Sequence, residues 1–357
     1  MEAHMGRTMM RAILIAGLLA CLAACGYGRT PSDVFSAGVA AIREHDYATA
    51  ISDFRLAAQQ GFAPAQFGLG LMYHHGLGVP QDDAQAAKWY RLAANNGEAR
   101  AQFNLGWLYS QGRGVPESAV RAVKWYRLAA QKGVAPAQYN LGWMYAQGRG
   151  VLKNDAKAAK WYRLAALQGL APAQNNLGGM YAQGQGVPQD YARAAMWFRL
   201  AAHQGIANAQ SMLGWMYYEG RGVSQDDAMA LRWYRLAALQ GDAGAQTILG
   251  GMYVHGQGVA PNDAKAVKWL RLAAQQGDAN AQTSLGVMYA QGRGVARNDA
   301  KAYKWLALAK SAAIPDSKLY TAVSQNMRFL KASMSPAQVA QGQQEASAWR
   351  AVHPEGD

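Results

Sequence analysis

The chain has 357 residues, 35 Lys plus Arg against 22 Asp plus Glu, and a formal net charge of +13. Hydrophobic residues make up 51% and charged residues only 16%. Much of the apolar share is alanine, the best helix former, whose small side chain lets helices approach closely. This composition excludes an acidic disordered chain and a multispan membrane protein. Two cysteines, Cys21 and Cys25, both near the start, exclude a disulfide framework or zinc cluster in the body.

The first expected element is a leader. Arg7 and Arg11 precede an apolar run from Ala12 to Ala20, short for a membrane span and suited to a secretory signal. Leu22-Ala23-Ala24-Cys25 follows and resembles the bacterial lipobox, whose cysteine is lipidated before cleavage. The resemblance implies a signal peptide over residues 1–24, a lipid on Cys25 and a short linker through residue 30. It also implies a place on the periplasmic side of the envelope. Gly26 in place of Asp favours the outer membrane over the inner one. An ordinary signal peptide with an incidental cysteine is the alternative.

Residues 31–62 carry Tyr47, Ala50, Phe54, Leu56, Ala57 and Ala58 before Gly61, which predicts a degenerate capping helix pair. From about Ala63 to Ile314 one motif recurs with a 36-residue period, seven times without insertion. Gln66, Gln102, Gln138, Gln174, Gln210, Gln246 and Gln282 form one column; Gly70, Gly106, Gly142, Gly178, Gly214, Gly250 and Gly286 form another. A third holds Trp89, Trp125, Trp161, Trp197, Trp233, Trp269 and Trp305. Each repeat predicts two helices. The first covers Ala63 to His75 in repeat one and stops at Gly76-Leu77-Gly78, since glycine past a helix end takes the left-handed conformation freely. The second starts at a good N-cap residue in every copy: Asp82, Ser118, Asn154, Asp190, Asp226, Asn262 and Asn298.

The Gly70 column lies inside a helix, where glycine costs roughly 1 kcal/mol relative to Ala, so a close helix crossing is expected there. The recurring Trp, three residues before Leu92 and its equivalents, is expected in the core. The recurring Gln is expected to be buried and bonded to the backbone of the next repeat. After Pro315, helices near residues 319–331 and 336–352 are expected to shield the last apolar face, since terminal units of such arrays are atypical.

The pattern A-x-A-Q-x-x-L-G-x-M-Y-x-x-G-x-G-V, followed by W-Y-R-L-A-A, resembles the Sel-one-like repeat (SLR), a relative of the tetratricopeptide repeat. The resemblance implies an all-α fold, a right-handed α-solenoid of antiparallel helix pairs whose first helices line a concave face. It implies a scaffold or adaptor with a protein or peptide partner and no cofactor. One secreted branch of the family carries a bonded cysteine pair per repeat and a weak penicillin-directed activity. This chain has none of those cysteines.

No catalytic constellation emerges. His74 and His75 are adjacent, so they point about 100° apart on a helix and make a poor metal pair. The Gly-x-Gly loops lack the third glycine and the strand of a dinucleotide site. Lys88, Arg91, Lys124, Arg127, Lys160 and Arg163 spread positive charge over the second helices. They suit either a solvated face or attraction to an anionic envelope surface. Nucleic acid is not expected as a partner of an exported chain.

The columns that vary are the candidate site. On the first helices, positions opposite the expected core hold Phe67, Leu71, Phe103, Trp107, Tyr139 and Trp143, with Trp215 further on, and Asn104, Asn140 and Asn176 form a column beside them. Aromatic anchors with repeated amides suit an extended peptide in the concave groove. Tight superhelical packing of the same rings is the other reading. The function expected is a non-enzymatic, envelope-anchored binding scaffold. A cell-wall-active enzyme and a purely structural envelope protein are the alternatives.

Overall fold

The computed structural model describes residues 29–353; the expected leader and Cys25 lie outside them. The described residues form eighteen helices and no strand, in two compact halves divided between Gln168 and Gly169. The first half holds α1 (Pro31–Arg43) and α2 (Tyr47–Gln59), then three repeats. These are α3 (Ala63–His75) with α4 (Asp83–Asn95), α5 (Ala99–Gln111) with α6 (Ala119–Gln131), and α7 (Ala135–Gln147) with α8 (Asp155–Leu167). The second half holds α9 (Ala171–Gln183) with α10 (Tyr191–His203), α11 (Ala207–Glu219) with α12 (Asp227–Leu239), α13 (Ala243–His255) with α14 (Asp263–Gln275), and α15 (Ala279–Gln291) with α16 (Asp299–Ala312). It ends in α17 (Lys318–Ala332) and α18 (Pro336–Val352). No helix of the described residues is long and apolar enough to cross a membrane.

Within a repeat the two helices run antiparallel. The Asp82 N–H donates to the Tyr73 carbonyl at the end of α3, while Gly70, midway along α3, faces Tyr90, midway along α4. All seven expected N-cap side chains accept a hydrogen bond from the first turn, as Asn154 does from the Lys157 N–H at 2.8 Å. The Gly-x-Gly stop is used twice over. Gly112 caps α5 at φ 66°, and Gly114, also at φ 66°, sits where a Cβ would come 2.2 Å from the Asp83 carbonyl carbon of the preceding repeat. The second glycine is therefore demanded by backbone conformation and by repeat-to-repeat contact together.

The helix crossing expected at the Gly70 column is present: a Cβ on Gly70 would lie 2.4 Å from the Tyr90 ring, and one on Gly142 would lie 2.9 Å from Tyr162. The partner, however, is the residue after the recurring tryptophan. Tyr90, Tyr126, Tyr162, Phe198, Tyr234, Leu270 and Leu306 are fully buried, whereas Trp89, Trp125, Trp161 and Trp269 are half-buried and Leu92 is 47% exposed. The buried stripe of α4 is Ala86, Ala87, Tyr90, Ala93 and Ala94, at the spacing of one helix face, and Trp89 and Leu92 flank it. The expectation of a core column therefore holds for Trp197, Trp233 and Trp305, which are buried, and is corrected for the other four tryptophans and for Leu92.

The glutamine column is buried as expected, but its backbone partner lies in the preceding helix pair, not the next repeat. Gln102 Nε2 donates to the Ala94 carbonyl at 3.0 Å and Gln138 Nε2 to the Ala130 carbonyl at 3.1 Å. The reason is topological: the glutamine stands in the first turn of its helix, directly beyond the C-terminal end of the previous one. A second tie joins consecutive repeats through residues eighteen apart, where Arg91 donates to the Tyr109 hydroxyl and Arg127 to the Tyr145 hydroxyl. Arg91 and Arg127 of the basic set on the second helices thus have a structural partner, while Lys88, Lys124 and Lys160 stand exposed.

At one end, Val34, Ala50, Ile51 and Phe54 of α1 and α2 bury Leu69 and Met72 of the first repeat. At the other, Val323, Leu330 and Ala346 join Tyr303, Trp305 and Leu306 in the core. Gly342 lets α18 press onto α16, since a Cβ there would lie 2.8 Å from the Ala300 carbonyl oxygen.

Candidate functional site

The structure divides the candidate ladder rather than presenting it as one row. Trp107, Asn140 and Trp143 come together in a cleft of about 260 Å³ between repeats two and three, with Ser110, Gln111, Ala119, Tyr126, Met144 and Arg149. Trp107 is half-buried and Trp143 is 37% exposed, so both rings show a face to solvent. The floor is polar. The Tyr126 hydroxyl lies 3.2 Å from Ser110 Oγ and beside the Asn140 amide, and burial raises its pKa above the ordinary phenol value. It therefore stays a neutral donor and acceptor.

Phe67 and Leu71 belong to a different cleft. They line an apolar space of about 250 Å³ with Phe35, Val39, Ile42 and Leu77, between α1 and α3. Phe67 itself is buried, its ring 5.8 Å from Tyr90 and covered by the Arg100 guanidinium at 4.9 Å. Phe103 and Tyr139 repeat that arrangement against Tyr126 and Tyr162, at 5.9 and 5.6 Å. Their column lies nearer the partner helix than a helical wheel centred on the core residues places it. Asn104 stands beside the Tyr90 hydroxyl, whose pKa burial pushes well above the ordinary phenol range. Asn176 accepts from Asn175 Nδ2 at 3.3 Å in the second half, where Trp215 also lies, 6.3 Å from Tyr191.

Sequence reasoning missed the arginines. Arg113 covers the Trp107 ring at 5.3 Å, Arg149 covers Trp143 at 5.8 Å and Arg221 covers Trp215 at 5.1 Å. Each is the middle residue of a Gly-Arg-Gly stop, and each is held by a second contact. Arg113 pairs with Asp83 at 2.7 Å, Arg149 with Glu117 at 2.6 Å, and Arg221 donates to the Tyr191 hydroxyl at 2.9 Å. The signal was legible. Wherever the Leu71 column holds Trp, the Leu77 column holds Arg; wherever the first holds Gly, at Gly179 and Gly251, the second holds Gln, at Gln185 and Gln257.

Asp83 also joins His74 Nδ1 at 2.6 Å, and the His74 ring meets Trp107 edge-on at 5.6 Å. This trio fixes the wall of the cleft. Among the described residues no three His, Cys, Asp or Glu side chains gather as a metal site would require.

Comparison with known proteins agrees with this architecture. The family model of the Sel1 repeat matches residues 63–98, 99–134, 135–170, 171–206, 207–242, 243–278 and 279–313. A Sel1 repeat protein from Oxalobacter formigenes is 35% identical over 68% of this chain and 99% of its own, with a TM-score of 0.62. A protective antigen of uropathogenic Escherichia coli displaying an SLR fold is 27% identical over 93% of this chain and 94% of its own, with a TM-score of 0.54. No curated protein matches the sequence. The model spans well over half of the chain, and its seven matches coincide with the seven helix pairs from α3 to α16: the chain belongs to the Sel1 repeat family.

Proposed function

We propose that this protein is a non-catalytic interaction scaffold of the bacterial envelope, anchored by a lipid on Cys25, and that an extended peptide segment of a partner crosses repeats two and three. The observation that carries the reading is the cleft walled by Trp107 and Trp143, with Asn140 and Tyr126 in its floor and Arg149 at its rim. Rigid aromatic rings supply large contact area and dominate binding energy where they are desolvated. Asn140 offers both a donor and an acceptor to a peptide main chain. Arg113 and Arg149 hold the two rings in place before any partner arrives, which lowers the ordering cost of binding.

The test is co-purification from detergent-solubilised membranes. The double variant Trp107→Ala, Trp143→Ala should lose partners seen with the parent, each truncation weakening binding by about 2 kcal/mol, with helical circular dichroism unchanged. Thr247→Ala with Thr283→Ala is the control. Those hydroxyls donate to the Ala243 and Ala279 carbonyls of their own helices, so that pair should keep every partner. Cys25→Ser should shift the protein from the membrane to the soluble fraction. Retention of all partners by the tryptophan variant would move the site elsewhere, and membrane retention of the Cys25 variant would remove the anchor from the reading.

A further inference from the structure

The seventh repeat breaks one column of the array, and the break leaves a buried polar atom on one residue of a cleft whose lining holds a second such residue. In five repeats the oxygen of the buried glutamine accepts an amide N–H from the residue thirty positions on. Gln66 accepts from Asn96 at 3.0 Å, Gln138 from Gln168 at 2.7 Å, Gln174 from Gln204 at 2.8 Å, Gln210 from Gln240 at 2.7 Å and Gln246 from Gln276 at 2.8 Å. Repeat two places Lys132 in that column, and its ammonium turns to the Gly97 carbonyl, leaving Gln102 Oε1 without a partner among the described residues. Repeat seven has Ala312, which carries no donor at all. Gln282 is 1% exposed and its Nε2 is taken by the Ala274 carbonyl at 3.2 Å, yet its Oε1 has no hydrogen-bond partner among the described residues.

The second orphan is a donor. Trp349 Nε1, on the capping helix α18, is buried and likewise without a partner among the described residues, while the Trp349 ring stacks on His353 at 4.2 Å. Gln282 and Trp349 line the same cleft of about 530 Å³, with Gln275, Gln276, Ser311, Arg350 and His353 among its walls. That volume falls in the range of small-ligand pockets. An unpaired acceptor and an unpaired donor in one cavity are costly to leave bare, and a ligand bearing the complementary pair removes both costs. Among the described residues, Arg350 is the one permanently charged group of the lining, and none of those lining it carries a carboxylate. The ligand's acceptor end is therefore anionic.

We propose that this cleft binds the free carboxyl end of a peptide chain. The last amide N–H donates to Gln282 Oε1, and the terminal carboxylate accepts from Trp349 Nε1 with Arg350 as its counter-charge. A free amino acid carries the same chemistry, an N–H one carbon away from a carboxylate, so the experiment must separate the two sources. The site lies in the second half and shares no residue with the Trp107–Trp143 cleft, so it stands or falls independently of that reading.

The intact chain, labelled with nitrogen-15 at its tryptophans, is titrated with N-acetyl-alanyl-alanine, with the same compound closed as a C-terminal amide, and with alanine. The indole N–H of Trp349 is assigned by its absence in Trp349→Phe. The expected result is a saturable shift of that signal by the free carboxylate, with the amide-closed compound at least about tenfold weaker. Alanine binding as well as the dipeptide would make the source a free amino acid; weaker binding of alanine would make it a chain end. The deciding variant is Ala312→Gln, which restores the amide found in the five complete columns. It should weaken the dipeptide by about tenfold or more while its thermal midpoint stays level or rises. Absence of a saturable shift up to roughly 10 mM, equal affinity for the two dipeptides, or unchanged affinity in Ala312→Gln would each overturn the proposal.

Discussion

Repeats two and three differ from repeats four and six at two outward-facing positions while sharing the columns that build the fold. Trp107 and Trp143 stand with Arg113 and Arg149 in the first pair; Gly179 and Gly251 stand with Gln185 and Gln257 in the second. The backbone does not register the change. The helix stops Gly112, Gly148, Gly184 and Gly256 adopt φ of 66, 68, 69 and 72°, and a Cβ on Gly142 or on Gly178 would meet the opposing ring at the same 2.9 Å. The glycine crossings and the helix stops are held constant, the side chain opposite each crossing changes only among Tyr, Phe and Leu, and the Leu71 and Leu77 columns vary in matched pairs. A solenoid can in this way change what its surface offers without altering how its repeats stack.

The largest test of that division uses two neighbouring kinds of glycine. Gly142→Leu drives a side chain into Tyr162 and, at 3.3 Å, the Ala158 carbonyl. Overpacking commonly costs about 1–3 kcal/mol before any backbone shift, so a loss of about 3 kcal/mol or more is expected in urea unfolding. Gly179→Leu, in the varying column of repeat four, meets nothing within 4 Å and should stabilise by up to about 1 kcal/mol through helix propensity alone. Similar losses from both would show that the outward column is as constrained as the inward one.

That contrast also explains what the sequence disclosed. Period, helix boundaries, caps and the glycine crossings were legible because each follows from a local rule repeated seven times. Tyr90 was harder to recognise as the deepest ring, because Trp89 is the more constant neighbour and constancy does not distinguish a core position from its flank. The candidate site was legible only in composition. Aromatic columns could be counted, but whether Phe67 faces solvent or Tyr90 depends on a few tens of degrees of helix rotation that a wheel does not resolve. The Arg113–Trp107 contact was available as a pairing between columns, since loop and helix positions six residues apart are brought together by the tight Gly-Arg-Gly stop.

An intermediate effect separates complete from incomplete glutamine columns. Gln138→Ala removes the donor to Ala130 and strands the Gln168 amide, which should cost about 1–3 kcal/mol in the same unfolding measurement. Gln102→Ala removes only the donor to Ala94, because Gln102 Oε1 is already unpartnered, and should cost less. A larger loss at Gln102 than at Gln138 would show that the side-chain amide link contributes nothing and that the backbone contact alone matters.

The smallest effect sharpens the comparison most, because it asks whether the Trp–Arg pairing can be moved. Asp227 occupies the position that Asp83 holds against Arg113 and Asp263 holds against Arg293, where the guanidinium lies 2.7 and 2.8 Å from the carboxylate. Its own neighbour thirty residues on is Gln257, which donates to the Tyr218 hydroxyl instead, and Asp227 Oδ1 is buried without a partner. Gly251 beside it opens onto free space. Gln257→Arg should pair with Asp227, Gly251→Trp should provide a ring for the guanidinium to cover, and the two together should act as a unit. Each change alone is expected to move stability by no more than about 0.5 kcal/mol, since a partly exposed ion pair is worth little and the Tyr218 bond is lost. The double change should exceed their sum by about 0.5–1 kcal/mol, the size of a cation–π contact at an exposed site. Strict additivity of the two would mean that tryptophan and arginine occur together in repeats two, three and five for the sake of a bound partner rather than for each other.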